Sequence, residues 1–91
     1  MAKKTSSNMI PVNFVNRLIH TYPNSIVTDS EGNLCFEETV YNFAVDIVDN
    51  MPASQQRSAL GTSFDDYDEL YNHLIVHFFD LRELLENQIN N

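Results

Sequence analysis

This 91-residue chain is poor in positive charge. Five Lys and Arg stand against thirteen Asp and Glu, for a formal charge of −8. Two of the five are Lys3 and Lys4, so from residue 6 onward only Arg17, Arg57 and Arg82 oppose all thirteen acids. A surface of that sign repels nucleic-acid phosphates and anionic lipid headgroups, so direct binding to DNA, RNA or a membrane is not expected. Glycine is scarcer still. With only Gly32 and Gly61, the chain has no Gly-rich loop to cradle a phosphate. Cys35 is alone, which excludes an intrachain disulfide and points to a reducing, cytosolic compartment. No run approaches the roughly 20 apolar residues of a membrane span, and "MAKKTSSNMIP" carries its two lysines with no apolar stretch behind them. Tryptophan is absent, so six Phe and four Tyr supply the bulky side chains.

What is present reads as one small acidic domain over residues 8–91, behind a flexible polar leader at 1–7. The expected class is α+β, mainly helical: helix, small β-hairpin, helix, short helix, long C-terminal helix. The first helix runs from about Met9 to Tyr22, capped by Asn8, with Pro11 in its first turn and Pro23 ending it. Ile10, Phe14 and Leu18 recur every four residues, and Val15, Ile19 and Tyr22 widen that stripe. Ser25–Thr28 and Asn33–Phe36 flank "DSEG", where Gly32 can take a positive φ, and this predicts the hairpin. Cys35 falls in its second strand and reads as core. A second helix follows from about Glu37 to Asn50, with Val40, Phe43, Ala44, Ile47 and Met51 as its buried stripe and Val48 beside it. "PASQQRSAL" starts on Pro52 and stops before Gly61, the arrangement of a short helix. The last helix is expected from about Phe64 to Gln88, with Thr62 or Ser63 as cap and Asp65 or Asp66 completing the box. Its seam is Tyr67, Tyr71, Leu74, Phe78, Leu81 and Leu85, alternating four and three apart.

Candidate chemistry concentrates in "TSFDDYDELYNHLIVHFFD". His73 and His77 stand four apart on one helical face, with Glu69 a turn before and Asp80 a turn after, so two imidazoles and a carboxylate could reach one zinc or nickel ion. Leu74, Ile75 and Val76 lie between them, where the HExxH pattern needs a Glu, and His20 is the only other imidazole. "DSEGN" has acids at alternate positions like a calcium loop, but its Gly stands at position four instead of six and Val40 occupies position twelve. Solvated acids on a helix end lack the pocket that separates the pKa values of a catalytic pair. No cofactor and no enzymatic activity are therefore expected.

Two surfaces remain. Asp65, Asp66, Asp68 and Glu69 open the last helix, where negative charge suits the dipole. They exceed what the dipole needs and repel one another. If the helices pack side by side, Glu37, Glu38, Asp46 and Asp49 extend them into an acidic face whose natural complement is a basic protein, with Tyr67 and Tyr71 as aromatic anchors. Ile75, Val76 and Phe79 project off the seam, leaving "LIVHFF" apolar nearly all round, and this suggests a homo-oligomer interface. In size and charge the chain is similar to small acidic inhibitors: bacteriocin immunity proteins, phage anti-restriction and anti-CRISPR proteins and other DNA mimics. That similarity covers no motif and transfers no site. It implies a non-enzymatic protein that occludes a partner's nucleic-acid-binding surface.

Overall fold

Apolar residues at three- and four-residue spacing, with Pro or Gly where the first three patterns end, give a chain of helices in the order the sequence punctuates them. The computed structural model describes residues 12–77 and 81–90. Helix α1 spans Val12–Thr21, α2 Phe36–Asn50, α3 Ala53–Leu60, α4 Tyr67–His77 and α5 Leu81–Asn90, with a 3₁₀ turn at Pro23–Ser25. The leader expected over residues 1–7, and the cap at Asn8, lie outside the described residues.

The core forms where the expected stripes of α1 and α2 meet. Phe14, Val15, Leu18 and Ile19 of α1 and Val40, Phe43, Ala44 and Ile47 of α2 are all buried, with Met51 just past the α2 end. Leu70 and Leu74 of α4 and Leu85 of α5 complete the same cluster. The most extensive helix–helix contact is between α2 and α4, while α5 lies against α1. Gly61 ends α3 in the left-handed region at φ 86°, and its N–H donates to the Arg57 carbonyl. Just before it, the side chain of Gln56, buried inside α3, acts as a three-way staple. Its Nε2 donates to the carbonyls of Met51 (3.0 Å) and Ile47 (3.4 Å), and its Oε1 accepts from the Phe64 N–H at 2.7 Å. One buried amide thus ties the end of α2 to the approach of α4, a role that apolar patterning does not register.

The β-hairpin is not formed. Among the described residues there is no strand, only a single antiparallel bridge between Thr28 and Leu34. Both flanks are consumed by other structure: Ser25 belongs to the 3₁₀ turn and Phe36 already starts α2. Between them, the Val27 N–H donates to the Thr39 hydroxyl at 2.9 Å and the Val27 carbonyl accepts from the Cys35 N–H at 2.8 Å. Thr39, fully buried in α2, therefore takes a donor that a longer ladder would need. The loop closes instead on Asp29, whose Oδ1 accepts the N–H groups of Glu31 and Asn33, both at 2.9 Å. Gly32 supplies the positive φ of 85° that this turn requires. Cys35 is half-buried at the N-cap of α2, not in a strand.

The C-terminal helix expected from Phe64 starts later. α4 begins at Tyr67, not Phe64, because the Phe64 N–H is bound to Gln56 and Asp66 takes the cap. Asp66 Oδ1 accepts the Glu69 N–H at 3.0 Å, and the Asp66 carbonyl accepts the first helical bond, from Leu70. Thr62 and Ser63 stand exposed before it. Residues 78–80, between α4 and α5, lie outside the described residues. α5 buries Leu85 completely and sets the Arg82 guanidinium 4.6 Å from the centre of the Phe36 ring. The α4 seam shifts as well. Leu70, outside the expected seam, is fully buried, while Tyr67 and Tyr71 move to its shoulder. Phe78 lies outside the described residues.

Candidate functional site

Tyr41 falls outside the α2 stripe of Val40, Ala44 and Ile47, so the helix turns it toward solvent on the edge that meets α4. Tyr67 and Tyr71, one turn apart on α4, approach the same edge. The Tyr41 ring centroid lies 6.4 Å from that of Tyr67 in an edge-on arrangement, and 5.8 Å from that of Tyr71 at 58°. Tyr67 Oη donates to Asp49 Oδ1 at 2.6 Å. These contacts place the start of α4 beside the end of α2, so the two helices run antiparallel and their acids flank three tyrosine rings.

The acids shape the electrostatics of those rings. The hydrogen bond to Asp49 comes first, then desolvation and the Asp49 charge, in pushing the Tyr67 hydroxyl above the ordinary tyrosine range. Desolvation, then the charge of Asp68 and a hydrogen bond to it, then the charge of Asp66, raise Tyr41 in the same direction. Both phenols are therefore held neutral well past physiological pH. At the other end of the face, Glu37, Glu38, Tyr41, Asn42 and Tyr71 line an open pocket of about 290 Å³. The Asn42 side chain is fixed there by donating to the Ser25 carbonyl at 3.1 Å.

Of the eight acids expected on one face, the structure brings together five: Glu37 and Glu38 at the pocket, Asp49 on Tyr67, and Asp66 and Asp68 near Tyr41. Asp65 and Glu69 stand exposed at the N-terminal end of α4. Asp46 is elsewhere. It is half-buried and accepts a hydrogen bond from the Ser25 hydroxyl, on the side of α2 that meets the 3₁₀ turn. Tyr41 and Asn42 escaped the sequence reading. The available signal was an aromatic off the apolar stripe, one turn after Glu37.

The other candidates fare differently. Ile75 is half-buried and packs against the core, Val76 is 58 % exposed, and Phe79 lies outside the described residues. His73 is half-buried with its ring 5.0 Å from that of Phe64, while the side chain of His77 and all of Asp80 lie outside the described residues. Among the described residues, no group of three or more His, Cys, Asp or Glu side chains is placed to hold a metal ion. No helix of the described residues is long and apolar enough to cross a membrane. No protein-family model, curated protein or solved structure matches this chain.

Proposed function

We propose that this chain is a non-enzymatic, cytosolic protein-binding module whose α2–α4 face docks on a basic surface of another protein. The observation that carries the reading is where the large apolar side chains are left uncovered. Among the described residues three are exposed, and two of them, Tyr41 at 38 % and Tyr67 at 37 %, sit on this acidic face. Exposed aromatics ringed by charge are the composition of interface hot spots, where the ring supplies contact area and the rim supplies register and partner choice. With a formal charge of −8, the complementary partner is basic, and association is steered by long-range attraction. The partner chemistry that fits best is an Arg/Lys surface that otherwise holds nucleic-acid phosphates. Occupying it makes the chain an inhibitor by occlusion, in the manner of a DNA mimic.

The test is capture of the tagged chain's partner from lysate beside a Glu38→Lys/Asp68→Lys variant, followed by competition with duplex DNA. These positions leave the Asp66 cap intact, which reversal of Asp66 itself would not. The expected result is a basic protein retained by the native chain, lost from the variant, released by moderate salt and displaced by DNA. Equal retention by both chains overturns the acidic-face reading, and retention without DNA competition overturns occlusion of a nucleic-acid site.

A further inference from the structure

The pocket at the N-terminal end of α2 is more specific than the face around it. Its walls are aromatic and its rim is acidic. Tyr41 and Tyr71 meet at 58°, so their rings border one opening instead of stacking shut on each other. Glu37 and Glu38 flank it from the first turn of α2, both exposed. Glu37 precedes Tyr41 by one helical turn, and Glu38 precedes Asn42 likewise, which puts carboxylates and ring on the same edge of the helix. None of the five lining residues is basic, so the lining does not neutralise its own charge. At about 290 Å³ the pocket lies at the lower end of the range that accepts a drug-sized ligand, and suits a single long side chain.

Resting on the docking reading above, we infer that this pocket receives one arginine side chain from a basic segment of the partner protein. Guanidinium is the group whose chemistry matches both parts of the lining. Its flat face stacks on an aromatic ring, and its edge presents a fork of N–H donors to a carboxylate. A lysine ammonium satisfies the carboxylates but is more strongly hydrated and has no planar face to lay against Tyr41 or Tyr71. The Tyr41 phenol is neutral at physiological pH, so it offers an uncharged π face beside the carboxylates of Glu37 and Glu38.

The experiment titrates capped Gly-Arg-Gly, Gly-Lys-Gly and Gly-Gln-Gly peptides into the isotope-labelled full chain at low salt, read by amide NMR shifts. A capped octa-arginine peptide is run beside them. The expected result is saturable shifts confined to amides 37–42 and 71, several-fold stronger for the arginine peptide than for lysine, and none for glutamine. Glu37→Gln/Glu38→Gln should bring the arginine response down to that of glutamine, and Tyr41→Leu should bring it down to that of lysine. Equal arginine and lysine shifts spread over residues 37, 38 and 65–69 overturn the pocket while leaving the acidic docking face standing. Failure of octa-arginine to bind overturns both.

Discussion

Tyr67 on α4 donates a 2.6 Å hydrogen bond from its hydroxyl to Asp49 on α2, eighteen residues back in the chain. This contact ties the N-terminal end of α4 to the C-terminal end of α2 and turns one tyrosine edge-on to Tyr41. A carboxylate that accepts from a phenol stabilises its neutral form, so the bond is also a titration handle. In the fold the Tyr67 pKa is raised above 10.0, its ordinary value. Its contribution to stability is therefore full below that pH and is lost as pH rises through the folded value. Spectrophotometric titration near 295 nm should show Tyr67 ionising late, and Asp49→Asn should return it toward the ordinary value. Titration at the ordinary value in the native chain would contradict the bond.

Gln56 makes the sharper stability test. Its amide is 3 % exposed and serves the Met51 carbonyl and the Phe64 N–H. Gln56→Leu keeps much of the volume and leaves those groups without their partner, which should cost about 1–3 kcal/mol in urea unfolding. Gln55→Ala, at the exposed neighbouring position, should stay within about 0.5 kcal/mol.

Leu70 decides the register of α4. It is fully buried, so Leu70→Ala should destabilise by about 2–5 kcal/mol. Val76→Ala, on the exposed side of the same helix, should be nearly neutral. Equal losses at both positions would mean that α4 packs on the wrong face.

Asp29 closes its loop by accepting two backbone N–H groups, from Asn33 and Glu31, and these hold its carboxyl below 3.8. A depressed carboxylate contributes stability above its unfolded value and loses it as pH falls through the folded one. The Glu31 and Asn33 amide resonances should therefore titrate together below pH 3.8, and Asp29→Ala should abolish that transition. Titration of those amides with the bulk of the acids would refute the turn.

The sequence by itself determined α1, α2 and α3, the buried stripes of α1 and α2, and the acidic character of the surface. Each depends on neighbours within one or two turns: the spacing of Phe14 to Ile19 and of Val40 to Ile47, Pro52 at the entry of α3 and Gly61 at its exit. What only the tertiary structure decided depends on partners far along the chain. Thr39, twelve residues from Val27, claims the backbone donor that a hairpin would have used. Gln56 captures Phe64 and delays α4 until Asp66 can cap it. Two stripes on α4 reach Leu74 with helical spacing, one through Leu70 and one through Tyr67 and Tyr71, and contact with α2 buries Leu70 and leaves the two tyrosines at the rim. The same packing separates Asp46, drawn to Ser25, from Asp49, drawn to Tyr67, although the two acids lie only three residues apart. Local periodicity places a side chain on a helix. Which side of that helix meets a neighbour, and so which acids share a face, is a property of the packed molecule.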